Sequence, residues 1–202
     1  MSEADSAALL ERFASPIDLH EESVREYSTV ALSEKHFIGV DRKPLYSDQS
    51  QTLISQVERL RFIRITCDSE SLASLEIQQG GEVVARDPNV VAPDFVDHVV
   101  KLAADVQEGE FRLLRYRTNF DYSSVALPTP QMRRGARPGS GLDEFSMSVH
   151  FAEGVVPAAV FWSTWDTLES DPRDLARLHL SNNEIAEHRS RPAGLFGFRW
   201  EW

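Results

Sequence analysis

The side chains best suited to polar chemistry lie on two segments in which apolar and polar residues alternate. His150 is on the polar side of residues 144–151, and Arg115 and Arg117 share one side of the preceding segment of this kind. An imidazole that titrates near neutral pH, beside guanidinium groups and a carboxylate such as Glu144, suits proton transfer or the binding of an anion. If the two segments are neighbours in a sheet, these side chains line one polar cleft. The alternative is an exposed strand face with ion pairs between strands.

A second set of candidates is the only basic cluster in the chain, formed by Arg133, Arg134 and Arg137. It lies in residues 119–142, a segment with three prolines and three glycines that we expect to form a long insertion loop. Guanidinium groups on such a loop can close over a phosphate or carboxylate, or bind an acidic partner. A solvated loop without a ligand is the alternative. Trp202, the last residue, is expected to offer an aromatic side chain to an interaction surface.

The sequence lacks the motifs that identify common enzyme families. It has no glycine-rich dinucleotide or phosphate loop, no Gly-x-Ser-x-Gly elbow, no His-Glu-x-x-His pair and no calcium loop. Cys67 is the only cysteine, so a disulfide within the chain and a cluster of thiolate ligands are both excluded. We therefore expect no cofactor and no metal. The sequence favours a noncatalytic protein, although an active site without a linear motif stays open.

The charge of the chain restricts the partners that it is expected to bind. The net charge is -11 at pH 7, and the first 34 residues contain eight acidic and two basic side chains. Such a charge disfavours nucleic acids and anionic membranes and favours a protein partner with a basic surface. The N-terminal residues do not resemble a secretory signal, and no segment approaches the roughly 18 consecutive apolar residues of a membrane span. We expect a soluble, cytoplasmic protein.

The spacing of apolar and capping residues predicts several helices. An acidic helical region is expected over about residues 1–34, and a short helix over 52–60. The strongest helical pattern runs from Pro93 to Glu108, where apolar residues recur every three or four positions. A further helix is expected to begin at Asp171-Pro172 and to end near His188.

Two hairpins are expected to form the centre of the sheet. In residues 144–165, a strand that alternates apolar and polar residues is followed by a turn and by a return strand that is apolar on both faces. The second hairpin turns at Gly80-Gly81, a pair that tolerates the positive φ angles of a tight turn. Further strands are predicted over residues 36–40, 61–67, 111–118 and 194–202, the last with one aromatic face.

Together these patterns predict a single α+β domain over residues 1–202, with a largely antiparallel sheet of hairpins packed with helices. The charge, the missing motifs and the arginine loop favour a noncatalytic protein-binding protein, for example an immunity-type inhibitor of a basic toxin. One alternative is a small-molecule enzyme or ligand-binding domain that uses the cleft of His150, Arg115 and Arg117. Another is a structural subunit that completes a sheet in an oligomer.

Overall fold

The computed structural model describes residues 26–68, 72–88, 95–123, 128–136, 142–167 and 170–202. In these residues the chain forms strands and turns and no helix. The strands are β1 Tyr27–Ile38, β2 Pro44–Ser55, β3 Leu60–Asp68, β4 Leu72–Gln79, β5 Gly81–Pro88, β6 Phe95–Val106, β7 Phe111–Phe120, β8 Gln131–Ala136, β9 Glu144–Phe151, β10 Ala159–Trp165, β11 Arg173–Leu178, β12 Glu184–Ser190 and β13 Gly194–Glu201.

These strands form three sheets. The largest has six strands in the order β12-β9-β1-β2-β7-β4, the second has four in the order β11-β10-β13-β8, and the third has three in the order β3-β6-β5. Neighbouring strands are antiparallel except β1 and β9, which are parallel. The predicted α+β class is therefore wrong, because the described chain is all sheet.

One face of the six-stranded sheet, which we call the inner face, closes two hydrophobic cores. The first core joins residues such as Leu32 and Phe145 of this sheet to Trp162 and Phe198 of the four-stranded sheet. The second core joins Leu53, Leu114 and other residues of β2 and β7 to the apolar side chains of the three-stranded sheet. The opposite, outer face carries the alternate residues of the same strands and is more exposed. The six-stranded sheet is thus the common wall of the molecule.

The helix predicted over residues 93–108 is wrong, because β6 occupies this segment. As the middle strand of its sheet, β6 is buried on both faces from Val96 to Val100. Apolar residues on both faces of one strand recur at spacings of three and four, which is also the spacing of a helical stripe. The many β-branched valines are the feature that favours the strand.

The other predicted helices within the described residues are also strands. The helix expected over 52–60 is the end of β2 and the turn to β3, and the one expected over 171–188 is β11 followed by β12. Of the helical region predicted over 1–34, residues 27–34 belong to β1, and residues 1–25 lie outside the described part. In β1 the buried positions include Glu34 and His36, and these polar residues conceal the period of two.

Both predicted hairpins have correct strands and wrong pairing. In β9 every second residue from Phe145 to Phe151 is buried, which confirms the predicted alternation. However, β9 belongs to the six-stranded sheet and β10 to the four-stranded sheet, where β10 lies between β11 and β13. Gly80 has the expected positive φ of 97°, but β4 and β5 also belong to different sheets. At both turns the chain leaves one layer and enters another.

Two of the remaining predicted strands are confirmed, whereas the predicted long loop contains a strand. The segment 111–118 is part of β7, and β13 buries the aromatic face of Phe196, Phe198 and Trp200. The insertion loop predicted over 119–142 contains a strand, β8, which pairs with β13. Within the described residues there is no helix of the length and apolar character that a membrane span requires.

Gly197→Ala is expected to destabilise the fold through the close approach of β13 and β8. A Cβ atom at Gly197 would lie 2.0 Å from the carbonyl oxygen of Met132, so the backbones would have to separate. We expect the free energy of unfolding to fall by about 1–3 kcal/mol, measured by chemical denaturation. Gly135→Ala on β8 is the control, because its Cβ would meet only the flexible end of Leu195 at 3.2 Å. Equal losses in both variants would contradict this explanation.

Candidate functional site

The outer face of the six-stranded sheet carries three aromatic side chains in one row across β9, β1 and β2. Phe37 lies directly opposite His150 on one side and Tyr46 on the other. The Phe37 and Tyr46 rings are stacked with centroids 4.3 Å apart, and the His150 ring lies 5.7 Å from Phe37. We call Phe37, Tyr46 and His150 the aromatic row. Rings at these separations attract one another beyond the apolar area that they bury.

Two cations lie over the aromatic row, and each is also paired with a carboxylate. The Arg117 guanidinium is 4.0 Å from the Tyr46 ring centroid and donates hydrogen bonds of 2.7 and 2.8 Å to the two oxygens of Asp48. The hydrogen bonds with Asp48 raise the pKa of Arg117. Lys35 Nζ is 5.4 Å from the Phe37 ring centroid and 3.3 Å from an oxygen of Glu184. The charges on this part of the face are therefore balanced in pairs.

The hairpin between β1 and β2 sets the position of the aromatic row. Gly39 N donates a hydrogen bond of 2.8 Å to Lys43 O, and Arg42 adopts a positive φ of 67° in the turn. This short turn fixes the register in which Phe37 is opposite Tyr46. Arg117 retains 32% and Lys35 42% of their side-chain exposure, so the row with its cations is accessible to a partner.

The structure does not form the cleft predicted from His150, Arg115 and Arg117. All three lie on the outer face, with Arg115 exposed, but β1 and β2 separate β9 from β7. Three strand spacings separate the backbone of His150 from the backbones of the arginines by roughly 14 Å, and Phe37 and Tyr46 lie on the two strands between them. Glu144, the carboxylate considered with them, contacts His188 Nε2 at 2.7 Å instead.

The predicted arginine cluster and Trp202 are also placed differently from the expectation. Arg133 and Arg134 lie on β8, where the Arg133 guanidinium is 5.6 Å from the Trp165 ring; Arg137 lies outside the described residues. Trp202 is half-buried and packs on the first core, with its ring 5.9 Å from Phe151. These residues do not form one binding surface within the described chain.

Arg134 forms an ion pair that links two sheets. One of its terminal nitrogens is 3.2 Å from Oε1 of Glu34, a residue of β1 that is only 4% exposed. Burial alone would raise the pKa of Glu34, but the charge of Arg134 and the nearby His36 bring it below the ordinary value. The same pair raises the pKa of Arg134. Sequence reasoning missed this contact because Arg134 was assigned to a loop and Glu34 to a helix.

Sequence reasoning also missed Phe37 and Tyr46 as functional candidates. The available signal was the alternation of residues 33–38, in which Phe37 falls on the side opposite Ile38. Among the residues that the structure describes, no group of three or more His, Cys, Asp or Glu side chains could hold a metal ion. The chemistry that the outer face offers is therefore stacking, cation–π contact and hydrogen bonding.

No protein-family model and no curated protein matches this chain. Among solved structures, it resembles a candidate protease from Parabacteroides distasonis, with a TM-score of 0.49, 12% identity and coverage of 84% of this chain and 36% of that one. It also resembles the M1 zinc metallopeptidase from Deinococcus radiodurans (TM-score 0.41, 15%, coverage 86% and 42%) and leukotriene A4 hydrolase from Saccharomyces cerevisiae (0.44, 9%, 95% and 32%). The chain spans less than half the length of each of these proteins.

Glu34→Gln is expected to lower the free energy of unfolding near neutral pH by about 1.5–3 kcal/mol, because Arg134 loses its charged partner. The folded-state pKa of Glu34 is lowered, so its carboxylate stabilises the fold above the unfolded-state pKa. That stabilisation is lost as the pH falls through the folded-state pKa. The difference between wild type and variant should therefore shrink below the ordinary pKa of 4.5.

Chemical denaturation of both proteins over a series of pH values measures this difference. Glu184→Gln is the matched control, since Glu184 pairs with Lys35 at an exposed position. Its expected effect is about 0.2–1 kcal/mol. A Glu34→Gln effect that stays constant as the pH falls would contradict the role assigned to this carboxylate.

Proposed function

We propose that this chain is a noncatalytic protein-binding protein that engages a partner through the outer face of its six-stranded sheet. The observation that supports the proposal is the aromatic row with Arg117 stacked on Tyr46. Tyrosine and arginine are enriched among the residues that contribute most to protein interfaces. Here they lie in the middle of a face whose neighbouring positions are serines and paired charges, which resembles an apolar centre with a polar rim.

The rigidity of the aromatic row also favours binding. Phe37 and Tyr46 are held by neighbouring strands, and Arg117 is fixed at the same time by the Tyr46 ring and by Asp48. A partner that covers these side chains therefore has little conformational entropy to remove from them. Interfaces formed on ordered side chains retain more of their contact energy as affinity.

The charge of the chain supports a partner with a basic surface. With a net charge of -11, the protein attracts a basic protein over the distance of a Debye length, which raises the association rate at low salt. An immunity-type inhibitor that blocks a basic toxin enzyme is one form of this function. We also propose that the protein is cytoplasmic, because its single cysteine, Cys67, is free and requires no oxidising compartment.

Tyr46→Ala is expected to weaken partner binding by about tenfold or more, since it removes the ring against which Phe37 and Arg117 pack. The partner is isolated by affinity capture at low salt from the organism that encodes the chain, and its affinity is then measured with both purified proteins. Leu175→Ala is the control, because Leu175 is 54% exposed on β11 of another sheet.

Three results would overturn the proposal. The first is that the wild-type chain captures no specific protein at low salt. The second is that the captured protein binds Tyr46→Ala as tightly as wild type, and the third is that the affinity does not decrease as salt is added. Thermal unfolding of both variants distinguishes lost binding from lost folding.

A further inference from the structure

A band of polar side chains crosses the inner face of the six-stranded sheet between the two hydrophobic cores. We call Glu34, His36, Ser47, Gln49 and Thr118 the polar seam. His36 lies directly opposite Ser47, Ser47 is opposite Thr118, and Glu34 is opposite Gln49. Apolar residues of the same strands belong to one core or the other, and the seam separates them.

Two side chains of the seam are buried without hydrogen-bond partners. His36 is 8% exposed and Ser47 is fully buried, yet neither ring nitrogen of His36 nor the Ser47 hydroxyl has a partner among the described residues. The Nε2 atom of His36 lies 3.7 Å from Oε2 of Glu34, which is too long for a hydrogen bond. Buried polar groups are normally satisfied, so His36 and Ser47 have hydrogen-bonding capacity left for a ligand or for water.

The side chains around His36 and Ser47 can donate hydrogen bonds to a ligand, and one of them, Arg134, is accessible to solvent. Arg134 uses one terminal nitrogen for Glu34 and has further N–H donors, and 40% of its side chain is exposed. Because Arg134 neutralises Glu34, protonation of His36 gives the cluster one net positive charge. His36 and Ser47 lie directly opposite each other on paired strands, where Cβ atoms are about 4.5–5.5 Å apart, so one small ligand can contact both side chains.

We propose that the polar seam binds a small monoanion of the carboxylate type, which enters beside Arg134 and is taken up together with a proton on His36. The His36 N–H, the Ser47 hydroxyl and an N–H of Arg134 donate to the anion. A cation fits less well, since the only carboxylate of the seam is already paired with Arg134 and no metal-binding group of three ligands occurs in the described residues.

The charged groups around His36 are centred on the ion pair of Glu34 with Arg134. Glu34 on the same strand has a carboxylate oxygen 3.7 Å from Nε2 of His36. Arg134 on β8 interacts electrostatically with Glu34, with Tyr116 on β7 and with Cys67 on β3. The charge of Arg134 outweighs burial and lowers the pKa of Glu34, the charge of Glu34 raises the pKa of Arg134, and burial raises the pKa of Tyr116. A histidine at this position can supply the proton that the proposal requires, because histidine is the side chain that ordinarily changes charge between pH 5 and 8.

The test is an NMR titration of the full-length chain with labelled histidine, using sodium acetate at constant ionic strength. We expect the His36 ring signals to shift saturably, with an affinity about tenfold higher near pH 5.5 than near pH 8. Acetamide, which has nearly the same shape and no charge, should bind at least about tenfold more weakly than acetate near pH 5.5.

Three variants connect the response to the seam. Ser47→Ala should weaken acetate binding and keep its pH dependence, whereas His36→Gln should remove the pH dependence. His188→Gln is the control, because its side chain is 62% exposed on β12 and should leave the titration unchanged. If His36→Gln does not fold, Ser47→Ala and the acetamide comparison still decide the question.

The proposal is overturned if acetate produces no saturable shift at His36, which would indicate that only ordered water occupies the seam. It is also overturned if acetamide binds as tightly as acetate, or if Ser47→Ala binds acetate as well as wild type does. These outcomes leave the outer face untouched, so they do not bear on the protein-binding function.

Discussion

The inner face of the six-stranded sheet has to close two separate hydrophobic cores, because two smaller sheets pack on the same wall. Each small sheet ends in an edge strand, β8 in one and β3 in the other, and Arg134 on β8 interacts electrostatically with Cys67 on β3. Between the two hydrophobic cores, the inner face carries polar side chains. The polar seam occupies that place, and the ion pair of Glu34 with Arg134 joins the wall to an edge strand there.

The inner and outer faces of the six-stranded sheet both carry ion pairs, but these pairs have different roles. On the inner face, the carboxylate of Glu34 is buried and is paired with Arg134 of another sheet, so the loss of one partner destabilises the fold. On the outer face, Arg117 and Lys35 are paired with carboxylates while their cations lie over aromatic rings. Such surface pairs contribute little stability. Their effect is to hold the rings and cations in a defined arrangement at the surface.

Local alternation was readable in the sequence, whereas the assignment of strands to layers was not. The period of two in β9 and the aromatic face of β13 appear in the structure as predicted.

The strand β6 was wrongly predicted as a helix, since a strand buried on both faces shows the apolar spacing of a helix. Likewise, the first part of β1 was assigned to a helix, because Glu34 and His36 occupy buried positions where an apolar residue is expected. Nor could the sequence show that the turns at Gly80 and between β9 and β10 connect different sheets, since a turn has the same residues in both cases. For the same reason, His150, Arg115 and Arg117 were placed on the correct strand faces but were wrongly expected to be neighbours.

The parallel pairing of β1 with β9 has a consequence for how the chain folds. In this pair Ala31 lies opposite Glu144, and β12 then adds to β9 from still later in the sequence. Contacts between such distant parts of a chain require a large loop to close before they provide any stabilisation, which slows folding. During synthesis, β1 and β2 can pair early, but the first core lacks β9, β10 and β13 until residue 201 has been added. The first core therefore forms well after β1 has been made, and until then the apolar residues that β1 contributes to it have no core in which to pack.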